Sequence, residues 1–256
     1  MVGQRGIYIK NQQEIATMRE AGHINALALG AVRELIRPGI TTADLDAAAA
    51  EVIRKHGAKP AFLGVPGAYP YPATITVSIN DEMVHGIPGK RKLQSGDIVS
   101  VDCGTIFEGF VGDAAFTAGV GEISPEAQRL IEVTKKSLYI GIDRLLAGNR
   151  VGDVGAAIQE YVESQGLHLT REYTGHGVGR EMWEGPQVPN YGVAGRGLVL
   201  RAGMTIALEP MVLIGTTRTR VLPDQWTVAS ADGSLTAHFE HSVAVTDNGP
   251  LILTKI

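Results

Sequence analysis

Asp97-Ile-Val-Ser-Val-Asp102-Cys-Gly-Thr-Ile106, then Phe107-Glu108-Gly109, then Phe110-Val-Gly-Asp113-Ala-Ala-Phe-Thr117, is the stretch whose reading decides the fold. Both flanks are apolar runs of strand length, and Glu108-Gly109 between them reads as a two-residue hairpin turn. That turn sets Asp102 opposite Ala115 and leaves Asp113 two residues along from this partner, on the face that carries Asp102. Diagonal neighbours of this kind sit roughly 7–8 Å apart at the backbone and closer at the side chains. Aspartate is a poor strand former, so two of them on one face of an apolar hairpin need a cause. Either both point to water or they converge on a cation, because buried like charges this close must protonate or bind one.

Further along, Tyr173-Thr-Gly175-His176-Gly177-Val-Gly179-Arg180 holds a histidine between glycines, which allow the backbone close to a site. It lacks the lysine of a phosphate-binding loop, and no helix start follows it. An ordinary surface turn is the alternative. Glu209-Pro210 ends the apolar run Met204 to Leu208. In Ala237-His238-Phe239-Glu240-His241-Ser-Val243-Ala-Val245, read as one strand, Phe239, His241, Val243 and Val245 share a face. Glu240 points the other way with Ser242 and Ala244, small neighbours that leave room for an ion or for water.

Around these strands the sequence places four helices. Asn11 with Glu14 forms a capping box, and Pro38-Gly39 stops the helix it opens. Thr41 and Asp44 open a second helix to about His56, ended by Gly57. Ser124-Pro125-Glu126 opens a third, to about Leu146. The fourth spans about Asp153 to Gln165 and ends at Gly166. The second and fourth match without a gap at an offset of 109 residues: Gly39 with Gly148, Asp44 with Asp153, Ala47 with Ala156, Ala48 with Ala157, Glu51 with Glu160 and Gly57 with Gly166. Strand-rich stretches follow each match, which suggests a duplicated unit. Helices and strands in blocks indicate an α+β fold. With no linker between the halves, residues 1–256 read as a single domain, its halves about 1–122 and 123–256.

Composition excludes several classes of function. A net charge of −4 gives no electrostatic case for nucleic acid or an anionic membrane. No apolar run is long enough to span a bilayer, and Met1 to Lys10 lacks a signal-peptide core. The one cysteine, Cys103, precludes an internal disulfide. A cytoplasmic protein is expected.

Asp102, Asp113, His176, Glu209 and Glu240, in this order and at these spacings, resemble the five metal ligands of the type I methionine aminopeptidases. Ser78-Ile-Asn80-Asp-Glu-Met-Val-His85-Gly86-Ile-Pro88, Pro189-Asn190-Tyr191 and Thr246-Asp-Asn248-Gly249 carry the likeness across nearly the whole chain. The resemblance implies a pita-bread fold, with two pseudo-symmetric halves around a curved antiparallel sheet. It implies two divalent ions, manganese, iron, cobalt or zinc, and removal of the initiator methionine from nascent chains. In that scheme a hydroxide bridging the metals attacks the methionine carbonyl. Glu209 is both ligand and proton shuttle. His85 binds substrate and helps stabilise the tetrahedral intermediate. Tyr71 and Trp226 match positions of the methionine pocket. The implied partners are N-terminal peptides, met at the ribosome, and the implied state is a monomer. A chain beginning Met1-Val2-Gly3 would be its own substrate.

The ligand set is chemically coherent on its own terms. Four carboxylates and one imidazole carry about four negative charges, which two divalent ions would balance, and oxygen-rich donors without thiolate favour harder ions. The likeness departs at Trp183, in Arg180-Glu-Met-Trp183-Glu184, where the family usually has a second substrate-contacting histidine. Trp183 keeps one N–H donor but cannot be protonated or accept. Thr76 and Ala68 also differ from common relatives. Two rival functions follow: a proline-directed peptidase of the same fold, and a non-catalytic or slow binding relative.

Overall fold

A computed structural model describes residues 6–255 of the chain, so the Met1-Val2-Gly3 start lies outside the described residues. In chain order its elements are α1 (Gln12–Leu35), α2 (Thr42–Lys55), β1 (Lys59–Pro60), β2 (Ile75–Ile79), β3 (Glu82–Val84), β4 (Ile98–Phe107) and β5 (Phe110–Gly119). Then come α3 (Pro125–Ile142), α4 (Val151–Ser164), β6 (His168–Leu169), β7 (Gly175–Gly177), β8 (Glu184–Val188), β9 (Thr205–Leu208) and β10 (Met211–Leu213). The chain closes with β11 (Thr219–Val221), β12 (Val228–Ser230), β13 (Thr236–His238), β14 (Glu240–Thr246) and β15 (Gly249–Ile252).

The hairpin β4–β5 forms in the expected register, Asp102 opposite Ala115 and Gly104 opposite Asp113. Glu108 (φ 47°) and Gly109 (φ 78°) both take the left-handed conformation that a two-residue turn between twisted strands demands. Around this hairpin runs a sheet with the order β1-β4-β5-β14-β9-β7-β8, in which β2 also pairs with β4 and β15 with β14. Every pairing is antiparallel. Two three-stranded sheets, β13-β10-β6 and β11-β12-β3, flank it. The fold is the curved antiparallel pita-bread arrangement, α+β as expected.

Side chains alternate across a strand, and the alternation divides this sheet into two faces. Val99, Val101 and Cys103 of β4, Ala114 and Phe116 of β5, Ile206 and Leu208 of β9, and Val243 and Val245 of β14 belong to one apolar core with Leu45, Ile53, Leu130, Leu138 and Ile158 of the helices. The positions between them, including Asp102, Asp113, Glu240 and Ser242, face the opposite side. The helices are therefore confined to one face and the chemistry to the other.

The repeat at 109 residues recurs in the structure. α2 and α4 have equal length, and β1 and β6 follow them at the same offset. Gly39 (φ 91°) and Gly148 (φ 95°) precede them, while Gly57 (φ 68°) and Gly166 (φ 71°) end them. Each helix start is bound to a later loop, Thr42 N to Arg91 O and Val151 N to Leu198 O.

Two expected boundaries shift. α3 ends at Ile142 rather than about Leu146, because the chain tightens into i→i+3 bonds (Arg144 N to Gly141 O, Leu145 N to Ile142 O) that turn Leu145 into the core. The run Ala237 to Val245 is not one strand. It breaks at Phe239: β13 pairs with β10, whereas β14 joins β5 and β9.

Helix α1 lies close against the hairpin. A Cβ on Gly112 would meet the backbone nitrogen of Gly22 at 2.6 Å, and one on Gly22 would meet Leu253 O at 2.3 Å. Neither obstacle is a side chain that can swing aside. Gly112→Val is expected to lower stability by about 3 kcal/mol, the upper range for overpacking, whereas Gly109→Asn, at an open turn position asparagine tolerates, should change it little. Urea unfolding of the two metal-free variants checks this; equal midpoints would contradict the close packing.

Candidate metal centre

Each candidate ligand is delivered by a different device. Asp102 and Asp113 come from the paired strands of the hairpin. Glu240 opens β14 directly opposite Ala115, the residue that faces Asp102 on its other side, so one row across the sheet runs Asp102, Ala115, Glu240. Ser242 holds this junction, its hydroxyl accepting from Asp113 N (3.0 Å) and donating to Asp113 O (2.9 Å). His176 is the centre of β7, opposite Ala207 of β9. It is buried and not part of a surface turn, and its glycine neighbours are sterically required: a Cβ on Gly177 would meet Gly185 O at 2.0 Å. Glu209 leaves the end of β9, its carbonyl held by Asn190 Nδ2 at 2.9 Å.

These residues converge. Donor atoms of Asp113, His176 and Glu240 lie within 4.8 Å of one another. His176 Nε2 stands 3.4 Å from Glu209 Oε1 and 3.8 Å from Asp113 Oδ2. Asp102 completes the set beside Asp113 and lines the same cavity. Burial pushes the Asp113 carboxyl up to about 7. Burial, reinforced by neighbouring carboxylates, raises Asp102, Glu209 and Glu240 well above the ordinary carboxylate range. Asp102 Oδ1, Asp113 Oδ1 and Glu240 Oε1 are buried without a hydrogen-bond partner among the described residues. Buried acceptors left unmatched are costly; cations are the partners that match several such oxygens at once.

His85, Tyr71, Trp183 and Trp226 line this cavity too, beside the five candidate ligands. His85 stands at φ 62° and is lowered to about 4 by burial, hence neutral near pH 7. The Tyr71 hydroxyl shares its one hydrogen between Gly86 O (2.9 Å) and Ile75 O (3.1 Å), which ties its loop to the one that carries His85 and turns the ring toward the cavity. Trp226 meets the Tyr71 ring edge-on at 5.1 Å. Trp183 lies 6.5 Å from the His176 ring, centre to centre. Its loop is anchored by a buried ion pair between Glu184 and Lys10, and Glu184 also accepts from Arg180 N at 2.8 Å. Thr76 lines the cavity; Ala68 does not, and is exposed.

The sequence reading passed over three further residues. Phe62 and Val65 supply apolar wall, and they sit in a loop without periodicity that could have marked them. His238 is buried with Nε2 3.8 Å from both Glu209 Oε2 and Glu240 Oε2. The alternation that turned Glu240 away from Phe239 also turned His238 away from it, and was the available signal.

A model of metallopeptidase family M24 matches residues 16–247. The chain is 49% identical to a methionine aminopeptidase of Clostridium perfringens, over 98% of this chain and 99% of that one. It superposes on the crystal structure of a methionine aminopeptidase from Thermotoga maritima with a TM-score of 0.95 and 48% identity, covering 98% of this chain and 100% of the other. A prolidase from Pyrococcus furiosus shares the fold at TM-score 0.77 and 22% identity, with 97% of this chain matched to 65% of that one.

Protons and cations compete for these carboxylates. A raised folded-state value means that the folded protein holds protons which the unfolded chain has released. For Asp113 the resulting stability is complete below its ordinary 3.8 and is lost as pH rises through about 7. The metal-free protein is therefore expected to melt at a lower temperature at about pH 8 than at about pH 6, and the gain in melting temperature on adding Mn²⁺ should grow over the same interval. Scanning calorimetry with and without Mn²⁺ tests this. A metal-free melting temperature that rises with pH across the interval would mean the carboxylates are not held protonated.

Proposed function

The chain belongs to metallopeptidase family M24, among its methionine aminopeptidases, and from that premise we propose that it removes N-terminal methionine from peptide chains in this cavity. The observation that carries the reading is the junction of two unlike surfaces. Buried carboxylate oxygens without hydrogen-bond partners among the described residues adjoin an apolar slot walled by Tyr71, Trp226, Phe62 and Val65. Such a pocket accepts one uncharged, flexible side chain and brings the peptide bond beside it to a cation-binding centre.

The donor set fits divalent ions. Asp102, Asp113, His176, Glu209 and Glu240 would hold them. The roughly four negative charges of four carboxylates and an imidazole support two ions, and the oxygen-rich set supports manganese or ferrous iron, with cobalt and zinc acceptable. Such ions, when bound, lower the pKa of water toward neutrality and polarise a carbonyl.

The chain's own residues do the rest. Glu209, buried and raised, accepts a proton from the attacking water and returns it to the departing amine. His85, kept neutral by burial, donates an N–H to the carbonyl oxygen as charge develops there. Trp183 takes the position from which relatives present a second histidine; its indole N–H can donate but cannot exchange a proton. The apolar slot orients the first residue so that the peptide bond after it lies beside the donor set.

The prolidase likeness, at 22% identity, concerns the fold alone, and nothing in the cavity favours a proline at the second position. Presence of all five candidate ligands argues against a purely binding relative. We further propose that residues 1–256 act as one catalytic domain, since the central sheet takes strands from both halves. A cytoplasmic monomer acting on nascent chains at the ribosome is consistent with the single cysteine and with the absence, among the described residues, of a helix able to cross a membrane.

Metal-free protein reconstituted in turn with manganese, ferrous iron, cobalt or zinc should release methionine from Met-Ala-Ser and leave Ala-Pro-Ser intact. Glu209→Gln should lower turnover about 10²–10⁴-fold, the usual contribution of a general acid–base. Trp183→His should raise turnover, by up to about 10²–10³-fold if a transition-state donor is restored. No release from folded, metal-loaded protein would overturn the reading, and rescue by Trp183→His in that case would mark a relative that lost its chemistry at one position.

A further inference from the structure

His238 is a second buried imidazole in the wall of the centre, and no step above uses it. It closes β13, and its Nε2 lies 3.8 Å from Glu209 Oε2 and 3.8 Å from Glu240 Oε2. That nitrogen is buried without a hydrogen-bond partner among the described residues. One nitrogen thus stands between two glutamates that arrive on different strands. We propose that His238 is a positioning residue, whose Nε2–H is shared by the outer oxygens of Glu209 and Glu240 and sets the separation of the two carboxylates. The inference rests on the reading of those glutamates as metal ligands.

The chemistry of the neighbours selects this role. Ionised carboxylates only accept hydrogen bonds, so the nitrogen that faces two of them carries the hydrogen. A glutamate that gives one oxygen to a cation retains lone pairs on the other, and outer donors of this kind orient ligands and tune metal affinity. Closing from 3.8 Å toward the ~2.9 Å of an N–H···O bond requires a small side-chain rotation by either glutamate.

The backbone of His238 is fixed, as such a role requires. Thr117 Oγ1 accepts from His238 N (2.9 Å) and donates to His238 O (2.8 Å), while Ser100 Oγ pairs with the same hydroxyl at 2.8 Å. Met211, two residues after Glu209, is the strand partner of His238, and Glu240 lies two residues beyond it. The backbone that carries the imidazole is therefore clamped to β5 of the first hairpin, whereas the glutamates it faces follow β9 and open β14.

The test uses the full chain, stripped of metal and titrated with Mn²⁺ alone and then Co²⁺ alone by calorimetry. His238→Leu keeps bulk and removes the donor; His238→Gln restores an N–H. H238L is expected to bind Mn²⁺ about 10–100-fold more weakly, to alter the visible spectrum of the cobalt form and to lower kcat with KM little changed. H238Q should stay near the parent in all three. An unaltered cobalt spectrum and affinity in H238L, or H238Q as impaired as H238L, would overturn the proposal. The parent supplies a readout that does not depend on either variant folding. Long-range proton–nitrogen correlation of the zinc form should find the hydrogen on Nε2, and its absence there would equally overturn the assignment. A parent that takes up no metal would defeat the metal-centre reading and this inference together, whereas a binding parent with an unaffected H238L defeats this inference alone.

Discussion

Carboxylates repel one another most where water is scarce, and this chain gathers four of them inside one cavity. Two unit charges 4 Å apart interact by roughly 4 kcal/mol at an effective dielectric constant of 20, so the full set cannot remain ionised without positive charge. The repulsion does not push the fold apart because each carboxylate sits on a strand or strand end whose opposite face is locked into the helix-side core. The site is thus a strained arrangement held by packing elsewhere, relieved by protons or by cations. Burial shifts all four carboxyls toward the protonated form, so protons and cations compete for the same oxygens.

Rigidity on the helix side is what permits this. Gly112 and Gly22 bring α1 onto the hairpin at backbone contact, and Asn25 Nδ2 of α1 donates to the carbonyls of Cys103 and Gly112, which flank the two aspartates in sequence. The carbonyls beside Asp102 and Asp113 are pinned from the core side, while their side chains emerge on the other. Ser242 does the equivalent for the β5–β14 junction. Few of these braces touch the cavity, yet they fix the ligand spacing that a metal would read.

The hairpin was legible because its information is local: a two-residue turn and a period of two suffice to set Asp102 and Asp113 on one face. The helix caps and the left-handed glycines at 109 residues' offset are local as well. Glu209 and Glu240 were legible as candidate ligands through family spacing, but their surroundings were not. The break at Phe239 is decided by competition between two sheets for neighbouring segments, which no window of sequence records. Phe62 and Val65 lie in a loop held by Gly64 N to Tyr71 O and Tyr71 N to Val65 O, contacts that exist only after folding. Trp183 was visible as a departure; its anchoring by a pair joining Lys10 to Glu184, far apart in the chain, was not.

The two halves repeat their helices closely and their chemistry hardly at all. α2 and α4 share length, glycine brackets and docking bonds, yet the first half contributes a pair of aspartates on adjacent strands and the second a histidine on β7, a glutamate just past β9 and another on β14. Packing accounts for the difference. On the helix side each residue meets many close neighbours, and an added or lost methylene is felt. On the concave side alternate positions face a cavity, where a side chain can change without disturbing the layer behind it. A period of two lets one strand obey both regimes at once. Trp183, which the proposed function sets where relatives carry a histidine, occupies a position of that second kind, on a loop anchored by the Lys10–Glu184 pair. Under the proposed function its effects would fall on turnover and substrate choice, while stability is governed by the helix-side core behind the sheet.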